Sequence, residues 1–171
     1  MTNQNNKLII KDDGTKEWYK NGKRHREDGP AIIYPDGSNE WWYNGKQHCE
    51  DGPAIIYKNE IKKWYKNGEL HREDGPAAIH VDGTKFWYKN DKLHREDNNP
   101  AIEWKNGTKE WWVDNKLHRE DGPAVIKSDG TEEWWLNGRK LPTRKVKKWI
   151  EENNIDLTTK EGKVAFKLKW K

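Results

Sequence analysis

Five histidines with acids close behind them are the first feature of this 171-residue chain that could do chemistry: His25, His48, His71, His94 and His118. A His followed by Glu and Asp suits zinc binding or general acid–base work. Spacing weighs against both. The histidines recur at a 23-residue period, stretched to 24 once. If each period is two strands wide, equivalent residues lie about 9.6 Å apart at roughly 4.8 Å per strand. Metal ligands must all sit about 2 Å from one ion. Neighbouring histidines therefore cannot share an ion, and pairing of His and Arg with Glu or Asp is the expected use of the column. Cys49, the one cysteine, is next to His48. Neighbours on a strand point to opposite faces, so His48 does not activate it as a nucleophile. No phosphate-cradling glycine loop or nucleophile elbow is present. The expectation is no catalytic residue, no metal and no cofactor.

The elements that carry these residues follow from the repeat. Copy one runs from Gly14 to Asp36 (GTKEWYKNGKRHREDGPAIIYPD), and copies two to five start at Gly37, Glu60, Gly83 and Gly107. A half copy begins at Gly130, and Leu8 to Gly14 matches the second half of a copy. In copy one, Lys16 to Lys20 reads as a strand. Asn21-Gly22 favours a tight type I′ hairpin, and Lys23 to Arg26 returns. Gly29-Pro30 breaks the pairing, Ala31 to Tyr34 is another short extended run, and Pro35-Asp36-Gly37 turns into the next copy. The expected fold is an all-β repeat array, an elongated antiparallel meander of β-hairpins. Its expected divisions are an N-terminal partial repeat over 1–13, the array over 14–141 and a basic cap over 142–171.

Two columns of side chains are expected to form the core. One is Ile32, Ile55, Ala78, Ile102 and Val125. The other is Trp18, Trp41, Trp64, Trp87, Trp111 and Trp134. The next position is aromatic too: Tyr19, Trp42, Tyr65, Tyr88, Trp112 and Trp135. Strand alternation lets one aromatic column be buried while the second forms an exposed binding stripe. A coiled ribbon would instead half-bury both. Copy four departs most from the pattern. Asp91 replaces the hairpin glycine, Asn98-Asn99 add a residue before Pro100, and Trp104 takes a tyrosine's place. The insertion predicts a β-bulge, with Tyr88 and Trp104 beside it as a candidate contact surface.

The pattern W-Y-x-N-G-K-x-H with its 23-residue period resembles MORN-type repeats, most of all the H-R-E-D-G-P-A variants of phage and giant-virus proteins. The resemblance covers Gly14 to about Leu141. It implies a β-hairpin array, a binding or scaffolding role and no catalytic residues. The usual His-Gly-x-Gly is replaced by His25-Arg26-Glu27-Asp28-Gly29-Pro30, so lipid binding does not carry over.

In the tail, Val146, Trp149 and Ile150 share one helical face over Pro142 to Asn153. Thr158 and Glu161 resemble a capping box for a second helix, while Val164, Phe166, Leu168 and Trp170 alternate as in a strand. From Arg139 onward eleven basic residues face four acids, although the chain's net charge is only +4. Arg144, Lys145, Lys147 and Lys148 form a candidate basic docking surface. The composition and the absence of an apolar run point to a cytoplasmic protein without a membrane span. The leading expectation is a non-enzymatic protein-binding module, a phage or viral accessory factor that binds and inhibits a host defence protein. The alternatives are sequestration of a small anionic ligand such as a nucleotide signal, and nucleic-acid binding through the aromatics and the basic tail.

Overall fold

The computed structural model describes residues 6–171. It is an all-β array of antiparallel hairpins followed by two helices, as the repeat predicts. The chain divides into two compact units, 1–91 and 92–171.

In the first unit a ladder of short strands runs through Asn6–Ile10, Lys16–Lys20, Ile32–Ile33, Asn39–Glu40, Ile55–Ile56, Lys62–Lys63, Ala78–Ile79 and Lys85–Phe86. Ile9 faces Glu17 in the register in which Ile32 faces Glu40, so Leu8 to Gly14 is the second half of a copy in structure as well. Residues directly opposite each other share a face of the sheet. One face therefore carries the row Glu17, Ile32, Glu40, Ile55, Lys63, Ala78, Phe86. Its aliphatic members are buried.

The strands are shorter than the sequence suggests. In copies two to five they break at the tryptophan, leaving two-residue pieces on either side. The piece after the break forms a side hairpin, as in Trp42–Tyr43 with Lys46–Gln47. Asn21 and Gly22 have φ of 52° and 75°, and Asn44 and Gly45 have 50° and 81°, as a type I′ turn requires. Consecutive hairpins are tied together by backbone bonds: the Gly45 N–H donates to the Arg24 carbonyl at 2.8 Å, and Gly68 to Gln47 at 2.8 Å.

The second unit repeats the plan with Ile102–Glu103, Lys109–Glu110, Val125–Ile126, Glu132–Leu136 and Arg139–Leu141. The extra residue of copy four does not make a strand bulge. Asp97 and Asn98 absorb it in a left-handed turn with φ of 57° and 55°, and Ile102 still faces Glu110. Residues with short polar side chains tolerate that backbone region, so the loop takes the strain and the ladder keeps its register.

Both tail segments are helices: α1, Thr143–Glu152, and α2, Lys160–Trp170. Thr159, not Thr158, caps α2, its hydroxyl accepting the Gly162 N–H at 3.0 Å. The alternation over Val164 to Trp170 is half coincidence. Phe166 and Trp170 are spaced for one helical face and pack inward, while Val164 and Leu168 stay exposed. Val146 and Phe166 are fully buried with Trp134, Leu136, Leu141 and Leu157, which closes the end of the second unit. Among the described residues no helix is long and apolar enough to cross a membrane.

Candidate binding surface

The tightest positions of the array are the alanines. Ala31, Ala54, Ala77, Ala101 and Ala124 have no exposure at all. Their neighbours Ile32, Ile55, Ala78, Ile102 and Val125 are buried as expected. The first tryptophan column differs from expectation: Trp111 and Trp134 are buried, whereas Trp18, Trp41, Trp64 and Trp87 are half-buried. Such short strands supply no second apolar layer to cover these rings. Arginines cover Trp18 and Trp64, and the buried Trp111 as well. The Arg26 guanidinium lies 4.2 Å from the Trp18 ring centre, Arg72 lies 4.3 Å from Trp64 and Arg119 lies 4.0 Å from Trp111. Such cation–π contacts contribute about 0.5–2 kcal/mol each. The sequence reading gave these arginines only carboxylate partners. The signal missed was the eight-residue spacing between the tryptophan and the arginine.

The second aromatic column is also half-buried along its whole length, so both columns are partly covered. Its rings are held in place by carboxylates of the buried row. The Tyr19 hydroxyl donates to Glu17 at 2.7 Å, the Trp42 indole N–H to Glu40 at 2.8 Å and that of Trp112 to Glu110 at 2.8 Å. Trp135 reaches Glu133 at 3.3 Å. In copies three and four Lys63 and Phe86 replace the carboxylate, and burial raises the Tyr65 and Tyr88 phenols above the usual range.

Each of these row positions has a second partner six residues earlier, across the turn between copies. Lys11 pairs with Glu17 at 2.9 Å, and the Tyr34 hydroxyl donates to Glu40 at 2.9 Å. Lys63 lies over the Tyr57 ring at 5.6 Å, and the His80 ring packs tilted against Phe86, 4.7 Å between centres. The Trp104 indole donates to Glu110 at 2.8 Å, and Lys127 pairs with Glu133 at 3.1 Å. The chemistry changes from copy to copy while the contact persists. Burial works to raise the Glu17 carboxyl, but Lys11, Tyr19 and Arg24 outweigh it and hold it below the usual range.

The histidines are staples. His25 Nε2 lies 3.1 Å from Glu27, and its Nδ1 accepts the backbone N–H of Asn44 at 3.1 Å. His48 and Asn67 repeat that bond at 3.1 Å, His71 and Asn90 at 3.3 Å, and His118 and Asn137 at 3.1 Å. Among the described residues no group of three or more His, Cys, Asp or Glu side chains could hold a metal ion. Burial pushes the Cys49 thiol up, away from the thiolate a nucleophile needs.

Of the copy-four residues, Trp104 is 39% exposed. Asn98 and Asn99 are exposed, but the Asn98 carbonyl accepts the Trp111 indole N–H at 2.8 Å and its amide donates to Asp121. Tyr88 belongs to the first unit and Trp104 to the second. Arg144, Lys145, Lys147 and Lys148 are all exposed on α1. Lys147 pairs with Glu132 at 2.6 Å and Lys148 with Glu152 at 3.4 Å.

No family model matches the chain, and no curated protein matches it.

Proposed function

We propose that the chain is a non-enzymatic protein-binding repeat module. The supporting observation is the second aromatic column, whose Tyr19, Trp42, Trp112 and Trp135 rings are each pinned by a carboxylate two residues earlier. A ring already fixed in orientation loses little freedom on binding, and aromatic anchors dominate interface energies. The resemblance to MORN-like repeats favours the same role and extends the proposal to a phage or viral factor that inhibits a host protein in the cytoplasm.

The test is affinity capture with the parent and with Trp42→Ala and Trp112→Ala, each checked for an intact fold by circular dichroism. The expected result is one stoichiometric polypeptide retained by the parent and at least tenfold less by a variant. A nucleotide released on heating would replace this function with ligand sequestration. Retention of nucleic acid that collapses steeply with added salt would replace it with nucleic-acid binding.

A further inference from the structure

Copies one, three and five each show how this scaffold holds a guanidinium. In copy one Arg26 lies on the Trp18 face, its Nε donates to Asp28 at 2.8 Å and its Nη1 donates to the Pro30 carbonyl at 3.3 Å. Arg119 does the same with Trp111, Asp121 at 2.8 Å and the Pro123 carbonyl at 3.2 Å. Arg72 uses Trp64 and Asp74, the latter at 2.8 Å. The loop glycine forms the floor: a Cβ on Gly29, Gly75 or Gly122 would meet the arginine Cζ at 3.3, 3.0 or 3.1 Å.

Copy two keeps every wall of this slot and lacks the arginine. Trp41, Asp51, Gly52 and Pro53 stand where the sister copies have theirs, and Cys49 stands in place of the arginine. The backbone frame is unchanged. The Trp41 N–H donates to Ala54 at 2.8 Å, as Trp18 does to Ala31 at 2.8 Å, and His48 donates to Trp41 at 3.1 Å, as His25 does to Trp18 at 3.0 Å. Over Gly52 only the Cys49 Sγ is near, 3.9 Å from a built Cβ. Among the described residues no cation lies on Trp41 and none pairs with Asp51. A separate hollow of about 380 Å³ runs from Cys49, Asp51 and Gly52 to Trp64, His71 and Arg72 of copy three, and Trp41 is not among its walls.

We infer that copy two is a receptor for an arginine side chain supplied by a partner polypeptide. This rests on the protein-binding function and names the group that the partner presents. The sister copies define the pose: guanidinium flat on Trp41, one N–H to Asp51 and one to the Pro53 carbonyl. They engage the guanidinium alone, which favours an arginine carried on a chain over a free amino acid.

The probe is N-acetyl-arginine N-methylamide, titrated against the full chain and followed by the amide and indole N–H resonances of Trp41, Asp51 and Gly52. Saturable shifts are expected in the parent and in Cys49→Ser. Cys49→Arg fills the slot from within, so it should raise the urea midpoint and weaken the probe at least tenfold. Asp51→Asn should weaken it severalfold, and the capped lysine analogue should bind less tightly than arginine. Shifts that never saturate, or equal shifts in parent and Cys49→Arg, overturn the receptor. Probe binding without a retained protein partner would remove the module function and leave the slot. A retained partner with an inert probe would do the reverse.

Discussion

The imidazole of His25 reaches one full copy forward to accept the backbone N–H of Asn44, 3.1 Å away, at the residue that opens the next hairpin turn. Asn44 has φ of 50°, so its N–H is turned out of the hairpin's own ladder. Four of the five histidines in the column, all but His94, thus join consecutive hairpins at the point where the backbone cannot satisfy itself. The Asn44 side-chain Oδ1 lies 3.1 Å from the same Nδ1, and Nε2 faces Glu27 at 3.1 Å, so both ring nitrogens are engaged.

His25→Leu leaves the Asn44 N–H without its partner beside a 6%-exposed site, and a loss of about 1–3 kcal/mol is expected in urea unfolding. His25→Asn, whose Oδ1 can take the place of Nδ1, should recover a large part of that loss. Equal losses for both variants would show that ring packing against Tyr43, 4.6 Å away between centres, matters more than the bond.

The hairpin turns differ in what they tolerate. Gly45 has φ of 81°, where a β-branched residue is strained, so Gly45→Val should cost about 1–3 kcal/mol. Asp91 sits at the equivalent place with φ of 61°, and its Oδ1 accepts the Leu70 N–H at 2.7 Å. Asp91→Gly therefore removes a bond between copies while relieving the backbone, and its urea midpoint should move by less than that of Asp91→Ala, which keeps the strain and loses the bond.

Burial and the hydrogen bond to Glu40 raise the Tyr34 phenol to about 12, from an ordinary value of 10.0. The folded state then holds a proton that the unfolded chain releases near pH 10. Stability contributed here is intact below pH 10 and falls as pH rises towards 12. Absorbance at 295 nm should show a late tyrosinate step that disappears in Tyr34→Phe. A titration unchanged by that substitution would place the late step on another tyrosine.

Much of this is legible in the sequence. The Asn-Gly pairs located the hairpins, because few residues accept two consecutive positive φ angles. The Ile32 column located the core, and Val146, Trp149 and Ile150 located α1. The aromatic faces were not legible, because burial of Trp18 depends on Arg26 folding over it, a contact that strand alternation does not encode. The α2 segment was ambiguous for a different reason: Phe166 and Trp170 satisfy both a two-residue and a four-residue spacing. The pairing of Tyr34 with Glu40 and of His80 with Phe86 joins unlike chemistries, so comparison of the copies alone gave no common partner to search for.

The tail should be required for the second unit's stability. Phe166 is fully buried with its ring 5.5 Å from that of Trp134, and Phe166→Ala should cost about 3–5 kcal/mol. Gly162 lies against the Asp156 carbonyl, where any Cβ would clash with backbone. Gly162→Ala should therefore release α2 and weaken near-ultraviolet tryptophan dichroism while far-ultraviolet β signals persist. Retained near-ultraviolet signal in both variants would mean that α2 does not hold the Trp134 cluster together.

The two asparagines of copy four make the sharpest test of whether an irregular copy serves the fold. The left-handed turn at Asp97 and Asn98 swings the Asn98 carbonyl onto the Trp111 indole N–H at 2.8 Å. Trp111 is 8% exposed, whereas Trp18, Trp41 and Trp64 are half-buried. Replacing Asn98-Asn99 by one glycine restores the sister loop and removes this acceptor together with the Asn98 amide that donates to Asp121. A buried indole N–H left without a partner costs about 1–3 kcal/mol. Tryptophan emission should shift to the red and the urea midpoint should fall, while Asn99→Gly alone, which spares the Asn98 carbonyl, should do neither. If the shortened loop is as stable as the parent, the insertion is not there for Trp111, and the exposed Asn98, Asn99 and Trp104 become the part of copy four to test by alanine substitution for contact with a partner.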